Sequence, residues 1–418
     1  MSDVFSSVQG FSCLTCGETY GLSPMLGGCP RCVGAGKPGI LDPLYPYDDD
    51  DARALRSVGL GSLWDYHRLL PVPDSRSVVT LGEGGTPLIA LPSVATAAGA
   101  AEVWAKCESS NPTHTWKDRT NAVAISAARH FGFSKAVCTS TGNHGVALAA
   151  YAARAGMHGM VLLSPGAPTN ITSVLRAFGA TAVTTTGNTL ELMTRLWQDH
   201  EWYISQRNAP GMNGRPFGNP FGMEGYKTIA YETYAQLGGR VPDKVYVPMS
   251  GGDGGWGIYK GFHELKLLGL ADRVPEIIAC QALGAAPLVA AVRLGLTHVE
   301  AVETYPTIAF SIFDPQSGDH ALLAVNRSGG TAVGVSDDEI LDALDVVSRL
   351  GLCIEASSAA TLAALTQQVH DGVELRGQTV VLIASGAGER WPATFTRIDT
   401  GPSSPVASVK DLDAMGVL

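Results

Sequence analysis

Ser109-Ser110-Asn111-Pro112-Thr113-His114-Thr115-Trp116-Lys117-Asp118-Arg119 reads as a turn that feeds a helix. Asn111-Pro112 marks the turn, and residues 118–131 carry Ala, Val and Ile at helical spacing. Lys117 therefore stands at a helix entrance, beside the positive end of the macrodipole and next to apolar Trp116. Both surroundings favour loss of its proton. A lysine of that kind can act as nucleophile and base. The competing reading is a surface lysine paired with Asp118, and the stretches downstream decide between the two.

Working outward, apolar runs at 103–105, 136–139, 160–163, 182–185, 244–248, 277–282 and 379–384 alternate with helical patterns at 145–155, 172–178, 224–237, 258–268 and 337–350. Such alternation predicts parallel sheets covered by helices. Three glycine-bearing stretches fall where a strand hands over to a helix, the place where open α/β sheets bind ligands. Ser140-Thr141-Gly142-Asn143-His144-Gly145 offers hydroxyls and N–H groups suited to a carboxylate. Ser250-Gly251-Gly252-Asp253-Gly254-Gly255-Trp256-Gly257 has five glycines that leave N–H groups free to surround a phosphate. Ser385-Gly386 places a hydroxyl at the end of a buried strand.

The first residues hold a separate unit. Cys13-Leu14-Thr15-Cys16 and Cys29-Pro30-Arg31-Cys32 are two knuckles 12 residues apart, a spacing at which four thiolates can enclose a zinc ion in a structural site. Paired disulfides are the alternative. Residues 1–36 are expected to form this ribbon, and the Pro- and Asp-rich segment 37–80 to wrap onto the main body with one short helix at 60–69. The 418 residues include 49 glycines and are 45% hydrophobic and 16% charged, the balance of a soluble α/β enzyme. A net charge of −10 argues against nucleic acid or an anionic membrane as partner. No leader or long apolar run is found, so a cytoplasmic location is expected.

Taken together, Asn111-Pro112-Thr113 with Lys117-Asp118-Arg119, Ser140-Thr141-Gly142-Asn143, Asn219-Pro220-Phe221-Gly222-Met223-Glu224-Gly225-Tyr226-Lys227-Thr228, the glycine loop, Glu355-Ala356-Ser357-Ser358 and Ser385-Gly386 resemble the threonine synthase-like branch of fold-type II pyridoxal-phosphate enzymes. The resemblance spans about residues 81–397, and short members of that branch often carry a four-cysteine ribbon. It implies a tryptophan synthase β-like α/β fold with two lobes. The larger would come from 81–110 and 208–400, the smaller mobile one from 111–207, followed by a tail at 401–418. A homodimer acting on a small amino-acid substrate is also implied.

The resemblance assigns roles as well. Lys117 would hold pyridoxal 5'-phosphate covalently and move protons on the substrate. Asn143 would bond the cofactor's phenolic oxygen, Ser250, Gly251, Gly252, Asp253, Gly254 and Gly255 its phosphate, and Ser385 its ring nitrogen. Ser140, Thr141, Gly142 and His144 would surround the substrate carboxylate. Lys227 and Arg119 are candidates for a phosphate carried by the substrate, and Glu355 and Ser357 read as helix-capping groups.

Threonine synthases eliminate phosphate from O-phosphohomoserine and add water at the β carbon. Departures leave a second reading open. Gly222 stands where the family usually has arginine, Tyr226 replaces a glutamine, and His114-Thr115-Trp116 makes the wall beside Lys117 bulkier. The alternative is β-elimination or β-replacement on a serine-, threonine- or O-phosphoserine-like substrate, as in dehydratases, ammonia-lyases and cysteate synthase. A non-catalytic ribbon protein is disfavoured by Lys117, the glycine loop and Ser385.

Overall fold

A computed structural model of the chain describes residues 5–57, 59, 61–140, 142–165, 167–398 and 406–415. It contains three sheets. The first is small and antiparallel, in the order β2-β1-β3, from β1 (Gly10–Cys13), β2 (Thr19–Tyr20) and β3 (Leu41–Leu44). β3 comes from the segment expected only to wrap, because Leu41 and Pro43 alternate inward and seat the strand on β1. Phe11, Cys13, Cys29, Cys32 and Leu41 then pack on Ala127 and Phe221 of the main body.

The remaining strands divide between two lobes. β4 (Leu88–Ala90), β5 (Glu102–Cys107), β10 (Lys244–Pro248), β11 (Glu276–Ala282), β12 (Thr331–Val335) and β13 (Thr379–Ala384) form one sheet in the order β12-β11-β10-β13-β5-β4. It is parallel except for the edge strand β4. Every residue of β10 and β13 is buried, as expected for strands covered on both faces. β6 (Lys135–Thr139), β7 (His158–Leu163), β8 (Thr181–Thr184) and β9 (Tyr203–Ile204) form a second, parallel sheet in the order β8-β7-β6-β9. In the 401–418 tail the described part contains the helix Val409–Ala414. Among the described residues no helix is long and apolar enough to cross a membrane.

Five helices matter for the site: α1 (Lys117–His130), α2 (Asn143–Ala155), α3 (Thr228–Gln236), α4 (Asp253–Leu267) and α5 (Ala356–His370). The chain at 220–227 crosses α1 so closely that a Cβ on Gly225 would lie 2.2 Å from the Arg119 carbonyl oxygen, and one on Gly222 would lie 2.5 Å from Thr120 Oγ1. Only glycine fits at either crossing.

α1 is fixed by a buried charge network. The Arg119 guanidinium donates to both oxygens of Glu108 at 2.7 and 2.8 Å and to both of Glu232 at 2.6 and 2.8 Å, and Lys106 Nζ joins Glu232 at 2.6 Å. Burial alone would raise the Glu232 carboxyl, but Arg119 and Lys106 outweigh it and hold the group at about 2. Arg119→Met should therefore leave Glu108 buried without a cation and Glu232 with Lys106 alone, and cost about 3–5 kcal/mol. Urea unfolding of the purified variant measures this, and a loss below about 1 kcal/mol would show that water or a neighbour replaces the guanidinium.

Candidate active site

The ends of the parallel strands β6, β9 and β10 open on one cavity of about 260 Å³. Its wall includes Lys117, Ser140, Gly142, Asn143, His144 and the loop 250–255. β13 seats the lysine: Trp116 N–H donates to the Ser385 carbonyl at 2.9 Å, and Thr115 Oγ1 to the same oxygen at 3.2 Å. Asp118 does not pair with Lys117, since its carboxylate accepts from the Thr113 amide at 2.7 Å and hydroxyl at 2.6 Å. Lys117 Nζ instead donates to Tyr226 Oη at 3.0 Å and lies 5.3 Å from the Trp116 ring centre. Burial lowers the affinity of Lys117 for its proton, and Arg207 lowers it further, against Asp253 and Glu355. The net shift is toward the free amine. Tyr226, which entered the sequence reading only as a replaced glutamine, is its hydrogen-bond partner.

The glycine loop enters α4. Gly252 has φ 110°, open to glycine alone, and Cβ atoms on Gly254 and Gly255 would meet Trp116 and Met249 at 2.5 and 2.2 Å. The first turn of α4 has N–H groups without intrahelical partners, which with the helix dipole suits a phosphate. The Asp253 side chain is already matched, by His320 Nε2 at 2.8 Å and the Asn208 amide. Burial would raise its carboxyl, yet the His320 bond holds it below the usual range.

Other expected groups are engaged in ways the sequence does not reveal. Glu355 begins α5 but makes no capping bond. Its carboxylate instead accepts from Asn143 Nδ2 at 2.9 Å, Ser311 Oγ at 2.8 Å, Trp391 Nε1 at 3.1 Å and Ser385 Oγ at 3.2 Å. Ser357 Oγ accepts from the Ser311 amide at 3.1 Å, so neither residue caps with its side chain. Asn143 Nδ2 also donates to Ser311 at 3.1 Å, and its Oδ1 accepts from Arg390. Both amide hydrogens are in use, and reaching a phenolic oxygen requires one of those bonds to give way. His144 holds Ser205 O at 2.6 Å through Nε2 and faces Asn121 Nδ2 at 3.4 Å with Nδ1. Burial, assisted by Lys117, pushes it down to about 4, so it is neutral at pH 7. Thr141 lies outside the described residues.

Arg119 and Lys227 do not reach the cavity. Arg119 is held by Glu108 and Glu232, and the fully buried Lys227 by Glu224 at 2.7 Å and Glu264 at 3.0 Å. A cation neutralised by a buried carboxylate has no free donor for a substrate. The arginines that do line the cavity are Arg207 and Arg215, which the sequence reading missed. Arg207 follows β9, and a basic residue just past a parallel strand was the available signal.

At the N-terminus, the four sulfurs of Cys13, Cys16, Cys29 and Cys32 lie within 4.8 Å of one another. The Cys13–Cys32 and Cys16–Cys29 separations are both 3.7 Å. A tetrahedron with about 2.3 Å zinc–sulfur bonds has edges of about 3.8 Å.

A desolvated lysine at the start of α1, facing a glycine-rich anion cradle across two α/β lobes, defines a fold-type II pyridoxal-phosphate-dependent lyase. The chain belongs to the family described as "Pyridoxal-phosphate dependent enzyme", whose pattern matches residues 79–386. It is 35% identical over 407 residues to the threonine synthase of Methanosarcina acetivorans, covering 95% of this chain and 96% of the other. It is 36% identical over 364 residues to that of Mycobacterium tuberculosis, covering 84% and 96%. Its fold is similar to that of a Solanum lycopersicum threonine deaminase, with TM-score 0.64 and 18% identity over 84% of this chain and 91% of that one.

Tyr226→Phe should reduce kcat roughly tenfold, as loss of about 1.4 kcal/mol would, and leave cofactor affinity unchanged. Steady-state kinetics beside a visible-absorbance cofactor titration separates the two. An unchanged kcat would remove Tyr226 from the machinery.

Proposed function

We propose that the chain converts O-phosphohomoserine and water to threonine and phosphate. The observation that carries this reading is Lys117, deprived of water and of a carboxylate partner, facing the 250–255 loop. Identity to threonine synthases across nearly the whole chain supports it. The orphan N–H groups at the start of α4 and the glycine-only packing of the loop fit the cofactor phosphate. Ser385 would face the ring nitrogen and Asn143 the phenolic oxygen. When bound, pyridoxal phosphate supplies the electron sink for negative charge developed on the substrate carbons.

The chain's own groups do the rest. Ser140 and Gly142, at the start of α2, would hold the α-carboxylate through a hydroxyl and N–H groups. Lys117 Nζ would take the proton from the α carbon, then one from the β carbon, and deliver a proton at the γ carbon. The γ carbon–oxygen bond breaks with its electron pair leaving on phosphate. Hydroxide from water then bonds to the β carbon, Lys117 Nζ would return a proton to the α carbon, and the remaining proton leaves on the phosphate. Tyr226 would orient Nζ between these positions, and the buried wall of Trp116 and Met249 would keep other water out. Closure of the 111–207 lobe on the carboxylate would complete that exclusion.

One observation favours the second reading, β-elimination or β-replacement on a serine-, threonine- or O-phosphoserine-like substrate. Gly222, at the position of a family arginine, is locked against Thr120 and offers no charge. The four-cysteine cluster would hold structural zinc, as its sulfur spacing supports. A cytoplasmic homodimer fits a metabolic enzyme of this branch.

Two experiments test the reading. Purified protein should release phosphate from O-phosphohomoserine with threonine as the amino-acid product, and Lys117→Ala should abolish both this and the visible cofactor band while staying folded. Release of a keto acid from serine or threonine, with no phosphate release from O-phosphohomoserine, would transfer the assignment to the second reading. Separately, Cys29→Ser with Cys32→Ser should lose zinc by metal analysis and weaken cofactor binding. The route runs through Asp42 beside β1, which bonds Trp256 Nε1 at 2.9 Å and Lys260 at 3.0 Å on α4. Zinc loss with unchanged cofactor affinity would separate the ribbon from the site.

A further inference from the structure

The cavity wall carries a guanidinium that none of its carboxylates matches. Asp253 is held by His320 and the Asn208 amide, and Asp314 by Arg207, whose guanidinium also donates to the Gln316 carbonyl at 2.7 Å. Arg215 follows the turn Met212–Gly214 and lines the same wall. Its Nη1 is buried without a hydrogen-bond partner, and among the described residues no carboxylate forms an ion pair with it. Burial, with Arg207 nearby, lowers Arg215 to about 10, so it remains charged at neutral pH. A guanidinium nitrogen buried without a partner is unfavourable unless a ligand completes it. The cofactor phosphate already has the start of α4. The place of the family arginine is closed, because a Cβ at 222 would meet Thr120 Oγ1 at 2.5 Å.

We propose that Arg215, with Arg207 beside it, recognises the phosphate that the substrate carries as its leaving group, and so sets the specificity for O-phosphorylated amino acids. This deepens the threonine synthase reading and rests on it. As the carbon–oxygen bond breaks, its electron pair leaves on the phosphate oxygen, and the added negative charge falls where the guanidinium fork can accept it. A planar fork matches a phosphate edge in a way an ammonium does not.

The test compares wild-type holoenzyme with Arg215→Gln and Arg215→Lys, using inorganic phosphate as the binding probe. Arg215→Gln should weaken phosphate binding and raise KM for O-phosphohomoserine by roughly 10- to 100-fold, the range for one charge-assisted contact. Cofactor affinity, followed by visible absorbance, should stay the same. Arg215→Lys should fall between the two, which a purely structural role would not produce. Phosphate affinity within twofold of wild type in Arg215→Gln overturns the proposal. A fall in cofactor affinity also overturns it, by assigning the guanidinium to the cofactor's phosphate. If wild type binds phosphate in an Arg215-dependent way yet does not turn over O-phosphohomoserine, the anion site stands and the threonine synthase reading fails.

Discussion

The buried clamp of Arg119 between Glu108 and Glu232 is the constraint on which the site depends. It joins the end of β5, the start of α1 and the body of α3, three elements that meet only in the folded chain. Successive helical residues are about 100° apart, so Arg119 and Lys117 point to nearly opposite sides of α1. The clamp therefore grips the back of the helix while the lysine faces the cavity. Asp118, between them, is tied to Thr113 and closes the entering turn. Three consecutive ionisable residues thus take three different environments. A shift of one residue in the start of α1 would exchange them and put the lysine in the clamp.

The same geometry explains which parts of the site were legible. Lys117 and the glycine loop could be read because local chemistry fixes them: a helix entrance, a strand end, and backbone that tolerates only glycine. The alternation of strands and helices gave the parallel sheets covered by helices for the same reason, since periodicity is a local property. Arg119 and Lys227 were misplaced because a residue's type shows its charge but not its partner. Glu232 is 113 residues from Arg119, and Glu264 is 37 from Lys227. Glu355 fails in the same manner. Its position at a helix start suggests capping, but its carboxylate is drawn to Asn143, 212 residues away, where four donors converge. Arg215 carries no motif at all, and only burial without a partner identifies it.

The chain beside the ribbon illustrates a related limit. Composition marked 37–80 as connecting chain, yet Leu41–Leu44 completes a sheet and Asp42 reaches α4. Tyr45 and Tyr47 continue the contact, with hydroxyls on Glu224 at 2.9 Å and Glu264 at 2.9 Å. Proline and aspartate lower strand propensity, but a buried acid matched by Lys260 and an indole N–H gives a strand edge a reason to stay.

The charges around Lys117 form a balance that a phosphorylated substrate would alter. In the protein alone, Asp253 and Glu355 favour the ammonium, while burial and Arg207 oppose it more strongly. The shift is toward the free amine, the form needed to bind a carbonyl. A phosphate dianion accepted by Arg215 would also offset the field of Arg207, and the oppositions to the ammonium would weaken. The lysine would then hold a proton better at the stage when it must collect one from carbon. Because the effect of a charge grows as water leaves, the shift would be largest with the lobes closed. A serine-like substrate without phosphate would bring no such compensation. In this arrangement the leaving group that fits Arg215 is also the one that strengthens the base, so recognition and proton transfer favour the same substrate.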